Sequence, residues 1–102
     1  MIYFNKLVRD RIPDIIRKNN ETPVVRTMDK DEFIRELDRK LDEEILEFRA
    51  DRNLEELADI LEVVYGLCKA EGFSLEELEA LRKEKAENRG AFDERTFLIG
   101  KY

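Results

Sequence analysis

A chain of 102 residues, 42% of them hydrophobic and 43% charged, is long enough for one modest core and too short for two, so we expect a single domain over residues 1–102. The net charge of −6, from 25 acidic and 19 basic residues, argues against binding of nucleic acid through its phosphates. A small phosphorylated ligand is compatible with this charge, because divalent cations held by clustered carboxylates reverse the local field. The charged N-terminal segment has no long apolar run, so we expect no signal peptide, no membrane span and a cytoplasmic protein.

The first predicted elements are short. Residues 1–9 suggest an extended arm, followed by a helix that Asp10 caps and that carries Pro13 in its first turn, where a missing N–H costs nothing. This helix should end near residues 19–20. The segment 23–28 has the β-branched character and the length of one short strand.

Three longer helices follow from their start and stop signals. They are predicted over about 30–50, capped by Asp29 or Thr27; over about 53–71, started by Asn53 and stopped by Gly72; and over about 75–89, with a capping box of Ser74 and Glu77 and an end at Gly90. The tail 96–100 could form a strand that pairs with the earlier one.

These elements predict an all-α fold, a helical bundle with short extended N- and C-terminal arms that could pair in a minor sheet. Helices 30–50 and 53–71 should form a central antiparallel pair, joined by a tight turn at residues 51–53. The second helix of this pair is apolar over most of its surface, more than neighbours within one small chain could cover. We therefore expect self-association into a dimer or tetramer.

Each helix of the pair carries two carboxylates where apolar residues are expected. At roughly 100° per residue, Glu44 falls inside the apolar stripe of its helix and Glu47 at the margin of that stripe. Glu56 lies inside the stripe of the next helix and Asp59 at its edge. An unpaired buried carboxylate costs several kcal/mol, so four that converge need a compensating charge.

A divalent cation would supply that charge. Oxygen ligands and the absence of histidine favour Mg²⁺, or Mn²⁺, over zinc. The alternative is that neighbouring basic residues such as Lys40 or Arg39 neutralise the acids. On the polar sides of the same helices, Glu43, Glu55 and Glu62 are expected from their positions to be ordinary solvated acids.

The run Glu43–Glu47 followed by Glu56–Asp59 resembles the EExxE…ExxD signature of the MazG-like, all-α nucleoside triphosphate pyrophosphohydrolase superfamily. The segments 5–13 and 85–92 resemble the ends of small, single-domain members that are phosphoribosyl-ATP pyrophosphohydrolase-like. The resemblance thus spans nearly the whole chain. It implies an all-α enzyme that uses Mg²⁺ to hydrolyse a nucleoside triphosphate to the monophosphate and pyrophosphate.

The resemblance also implies roles for individual residues. The metal ligands would be Glu44, Glu47, Glu56 and Asp59; the catalytic acids Glu43 and Glu44; and the phosphate-binding residues Lys6, Arg9, Lys85 and Arg89. Two other functions stay open: phosphoribosyl-ATP pyrophosphohydrolase activity in histidine synthesis, and a non-catalytic acidic helical module that binds partner helices.

Overall fold

The computed structural model describes all 102 residues and contains four helices and no strand. The helices are α1 (Ile12–Lys18), α2 (Lys30–Asp51), α3 (Leu54–Ala70) and α4 (Leu75–Arg89). The all-α fold class is therefore confirmed. None of the four helices combines the length and the apolar character needed to cross a membrane.

The three longer helices begin where their capping residues predict. The side chains of Asp29, Asn53 and Ser74 accept hydrogen bonds from backbone N–H groups in the first turns of α2, α3 and α4. Each cap satisfies one of the N–H groups that a helix start leaves unpaired. The Ser74 hydroxyl also donates to the Glu77 carboxylate at 3.2 Å, which completes the predicted reciprocal pair through the hydroxyl rather than the backbone N–H of Ser74.

The start of α1 differs from the prediction. Arg11 is its N-cap residue and no side chain caps it, so the expected cap by Asp10 is wrong. Asp10 instead lies in the turn before the helix, one residue too early for its carboxylate to reach the first-turn N–H groups. Pro13 does lie in the first turn, as predicted.

The two predicted strands, 23–28 and 96–100, are also wrong, since both segments lack regular structure. A strand is stable only when a neighbour pairs with its backbone groups, and neither segment pairs with the other. Val24 is 76% exposed, so the β-branched side chains do not pack on a core either. Propensity alone does not form a strand without a partner.

Helices α2 and α3 form the main packed unit of the chain. They are joined by Arg52 and Asn53, and Arg52 adopts a left-handed conformation with φ 53° while its N–H donates to the Phe48 carbonyl. Gly66 of α3 lies against Leu37 of α2, and a Cβ at Gly66 would come within 3.0 Å of the Leu37 side chain. The glycine therefore permits close approach of the two helices. Helix α4 packs against α3, and α1 packs against no other helix.

The chain has little core of its own. Only Leu37, Val63 and Glu44 are buried. The radius of gyration is 18.0 Å, whereas a compact domain of this length has about 13 Å. The small core and the elongated shape leave much apolar surface in contact with solvent.

Candidate metal centre

Three carboxylates meet where the C-terminal half of α2 faces the first turns of α3. Glu44, Glu56 and Asp59 each offer one oxygen, and these three atoms lie within 4.8 Å of one another. We call this set the acid triad. The spacing of Glu56 and Asp59, three residues apart on one helix, lets both side chains reach the same side as Glu44.

Two oxygens of the acid triad are buried without a partner. Glu44 is only 6% exposed, and its Oε2 atom accepts no hydrogen bond. The Oε2 atom of Glu56 is likewise buried and unpartnered. Buried polar atoms are nearly always hydrogen-bonded, so two such oxygens in one small cluster mark a place where a positively charged group would be stabilised.

The pKa values of two triad members reflect this environment. Burial raises the pKa of Glu44, and the negative charge of Glu47 raises it further, while the ammonium of Lys40 acts in the opposite direction. Burial also raises the pKa of Glu56, with the charge of Asp59 adding to the effect. Ionisation is therefore less favourable for both carboxylates than for a fully solvated glutamate.

Two basic side chains partly neutralise the acid triad. The Lys40 ammonium lies 3.4 Å from Glu44 Oε1, and Arg9 Nη2 donates to Asp59 Oδ1 at 2.6 Å. Arg39, the other basic residue considered from the sequence, is 74% exposed and instead lies 3.4 Å from Glu36. Two positive charges against three carboxylates leave a net negative charge when all groups are ionised.

The other predicted acids lie around the triad rather than within it. Glu47 is exposed and is not one of the three converging carboxylates, although its negative charge contributes to the raised pKa of Glu44. Glu43 is partly exposed, and its Oε1 atom lies 3.7 Å from the Lys6 and Lys40 ammonium groups alike. Glu43 is thus next to the triad and accessible to solvent.

The four predicted phosphate-binding residues divide into two pairs. Lys6 and Arg9, in the N-terminal arm, contact acids on α2 and α3 respectively, and Arg9 also lies 3.9 Å from Glu62. Lys85 and Arg89 are exposed on α4 and form no ion pair with the triad or with other residues. Helix α4 does not pack against α2, so this chain does not bring the second pair into contact with Glu44.

Sequence reasoning alone did not decide between the two possible basic neighbours of the acids. Lys40 stands four residues before Glu44 and three before Glu43, a spacing at which helical side chains meet. That spacing could have identified Lys40, rather than Arg39, as the basic neighbour of Glu44. The pairing of Arg9 with Asp59 had no such local signal, because 50 residues separate them along the chain.

The donors of the acid triad fit a hard divalent cation. All are carboxylate oxygens, the type preferred by Mg²⁺ and Mn²⁺. The unpartnered oxygens of Glu44 and Glu56 are available as ligands, and the net negative charge favours a cation. The triad contains neither cysteine nor histidine, the ligands that zinc prefers.

Comparison with known proteins gives little further information on function. No family model matches the chain, and no solved structure does. A 45-residue segment is 58% identical to an uncharacterized protein of Mycolicibacterium smegmatis. The match covers 44% of this chain and 46% of that protein, so the two are alike over about half of their lengths.

Proposed function

We propose that this protein hydrolyses a nucleoside triphosphate to the monophosphate and pyrophosphate with the aid of Mg²⁺, or Mn²⁺. The observation that carries the proposal is the acid triad, with two buried carboxylate oxygens that have no partner. The resemblance of residues 43–47 and 56–59 to the MazG-like signature assigns this chemistry to the same residues.

The proposal includes an antiparallel arrangement of α2 and α3. Two contacts support it: Leu37, early in α2, meets Gly66, late in α3, whereas Glu44 meets Asp59 nearer the connecting turn. The first half of α2 thus faces the second half of α3, and the end of α2 faces the start of α3. In this arrangement the acid triad lies at the part of the pair nearest the connection.

Glu44, Glu56 and Asp59 would hold the cation, with the exposed carboxylate of Glu47 available beside them. A bound Mg²⁺ supplies positive charge to phosphate oxygens and makes water a better nucleophile. The protein's own contribution is to keep several acids close together, so that the site accepts a divalent cation in preference to a monovalent one.

Glu43 is our proposed acceptor for the proton of the attacking water, because its carboxylate is next to the triad and partly open to solvent. In the reaction, the water oxygen forms a bond to the α-phosphorus while the bond from that phosphorus to the bridging oxygen breaks. Pyrophosphate leaves with the bridging oxygen, and the water proton passes to the carboxylate.

The remaining roles concern the negatively charged substrate. Lys6 and Arg9 lie beside the acids, where they could turn from Glu43 and Asp59 to the phosphates of a bound nucleotide. Lys85 and Arg89 have no carboxylate partner of their own and are the further candidates for phosphate binding. Arginine suits this role because its guanidinium binds phosphate in a bidentate manner.

The proposal is tested by incubating the purified protein with a panel of nucleoside triphosphates and with phosphoribosyl-ATP, and by measuring pyrophosphate and orthophosphate separately. Mg²⁺-dependent release of pyrophosphate from at least one compound is expected. The preferred compound decides between a general nucleotide pyrophosphohydrolase and the histidine-pathway activity. Release of orthophosphate instead would reject the proposed bond cleavage.

Metal binding distinguishes the proposed enzyme from the alternative function, a non-catalytic module that binds partner helices. A module that only binds partner helices has no need of unpartnered carboxylate oxygens beneath a helix interface. For that function, Mg²⁺ should not change the thermal unfolding midpoint. The proposed enzyme should be stabilised by Mg²⁺, because a ligand that binds only the folded state raises its stability.

A further inference from the structure

Lys40 differs from Lys6, the other lysine that approaches the acids. Its side chain is only 17% exposed, and its ammonium lies 3.4 Å from Glu44 Oε1, whose side chain is 7% exposed. It also lies 3.7 Å from Glu43 Oε1. Lys6, by comparison, is 45% exposed and contacts Glu43 alone. Lys40 is therefore the cation most enclosed with the buried member of the acid triad.

The contact occupies only one side of the Glu44 carboxylate. Oε1 faces the ammonium, while Oε2 is buried with no partner. A lysine that completed the charge balance of a structural ion pair would be expected to leave no such atom, because half-satisfied buried networks are unfavourable. Lys40 instead compensates part of the negative charge of Glu44 and leaves its Oε2 atom without a partner.

A cation held at the acid triad would be a near neighbour of the Lys40 ammonium, since both contact Glu44. Like charges at such distances repel, and the repulsion is stronger at a partly buried site than in water. Lysine can relieve it, because its long, flexible stem can carry the ammonium towards solvent while the methylene groups remain packed.

We propose that Lys40 is a resident counter-ion: it stabilises Glu44 while the triad holds no metal, and its ammonium competes with the divalent cation for this carboxylate. In this scheme Lys40 lowers metal affinity while it raises the stability of the metal-free fold. The inference rests on the metal centre of the proposed function and adds a residue that regulates its occupancy.

The test measures the binding of Mn²⁺ alone, by loss of the electron paramagnetic resonance signal of the free ion, together with thermal unfolding in chelator. Four proteins are compared: wild type, Lys40→Met, Lys40→Arg and Arg39→Met. Arg39 is the matched control, because it is adjacent in sequence but is 74% exposed and pairs with Glu36 rather than with the triad.

Lys40→Met should bind Mn²⁺ roughly three- to tenfold more tightly than wild type, because a neighbouring positive charge has been removed. The same variant should unfold several degrees lower in chelator, since Glu44 loses its partner. Lys40→Arg, which keeps the charge, should remain near wild type in both measurements, and Arg39→Met should not change Mn²⁺ affinity. Should Lys40→Met fail to fold, Lys40→Gln gives the same comparison, because it removes the charge but can still donate a hydrogen bond.

Unchanged or weaker Mn²⁺ binding in the charge-removing variant would overturn the inference and assign Lys40 a purely structural or ligand-orienting role. That outcome leaves the proposed function intact, provided that wild type binds Mn²⁺. Absence of Mn²⁺ binding by wild type is a separate result, and it would reject the metal centre of the proposed function together with the role of Lys40.

Discussion

At the scale of single residues, the behaviour of the acid triad depends on carboxylates that the fold holds in a poor environment for negative charge. Glu56 illustrates this, because burial and the nearby Asp59 both raise its pKa and its Oε2 atom has no partner. Neighbouring Glu55 lies in the same first turn of α3 but is exposed. The two residues therefore form a natural pair for substitution.

Glu56→Gln should leave the metal-free protein as stable as wild type or more stable, because it keeps the shape of the side chain and removes an unfavourable charge. Glu55→Gln is the control. Both residues lie in the first turn of α3, so both substitutions lose the same favourable interaction with the helix dipole. Thermal unfolding in chelator checks the comparison, and clear destabilisation by Glu56→Gln alone would identify Glu56 as a paired structural acid.

The pH dependence of this effect follows from the direction of the pKa shift. Because the folded-state pKa of Glu56 is raised, its ionised form opposes folding above that pKa, and the penalty is lost as the pH falls to the ordinary glutamate range. The unfolding midpoint of Glu56→Gln should therefore exceed that of wild type most at neutral pH, and the difference should shrink on acidification. A difference that stays constant with pH would contradict this reasoning.

Glu32 provides the opposite case as a control. Its hydrogen bonds from Arg26 lower its pKa, so its ionised form favours folding. Glu32→Gln should lower the unfolding midpoint at neutral pH, and this effect should fade as the pH falls through the lowered pKa.

Several of these residues could be identified from the sequence, and others could not. The position of Glu44 within an apolar stripe predicted its burial, because helical periodicity fixes which face a residue occupies. The margin positions of Glu47 and Asp59 led us to expect that both would converge with Glu44 and Glu56, and only Asp59 does. At the edge of a stripe, small rotations of the helix and the choice of rotamer decide between a converging and an exposed carboxylate.

At the scale of elements, the position of α3 is linked to the metal centre through its first turn. The Asn53 side chain accepts a hydrogen bond from the backbone N–H of Glu56 at 3.0 Å, so the cap and the proposed ligand are part of one local structure. Ser74 caps α4 in the same manner, through the N–H of Glu77, and has no contact with the triad. The main difference is that the first turn of α3 carries a proposed metal ligand, Glu56, and the first turn of α4 carries none.

Asn53→Ala and Ser74→Ala should each cost about 1 kcal/mol of stability, because each leaves a helix N–H group without its partner. Only Asn53→Ala should also weaken Mg²⁺ binding, since it loosens the turn that positions Glu56. Isothermal titration calorimetry with Mg²⁺ checks the difference. Equal affinities in the two variants would indicate that the cap does not contribute to the metal centre.

Elements with strong end signals were predictable, and the strands were not. The caps at Asp29, Asn53 and Ser74 act locally, so the sequence around each one is sufficient to locate the helix start. A strand depends on a partner that is distant in sequence or belongs to another molecule. The composition of residues 23–28 therefore could not show that no partner is present within this chain.

At the scale of the whole molecule, the chain is elongated and buries few of its residues. Along α3, Leu54, Leu57 and Leu61 are exposed, although the helix is predominantly apolar. Exposed apolar surface of this kind usually marks an interface. The self-association predicted from the sequence would cover this surface with a second copy of the chain.

Light scattering at micromolar concentration should give a mass of at least twice the 12.2 kDa of one chain. Leu61→Gln should shift the equilibrium towards the monomer, because it introduces a polar group into the apolar face. Lys69→Gln, which introduces the same side chain at an exposed polar position of α3, should leave the mass unchanged. A wild-type mass near that of one chain would reject the inferred assembly.

The proposed chemistry is tested most directly by pyrophosphate release from the preferred nucleotide in saturating Mg²⁺, compared among wild type, Glu56→Gln and Glu55→Gln. Wild type and Glu55→Gln should react at similar rates and lose activity in excess chelator. Glu56→Gln should be slower by about 100-fold or more, because a proposed ligand of the metal is lost. Near-wild-type turnover by Glu56→Gln, or full wild-type activity in chelator, would contradict the role of the acid triad in catalysis.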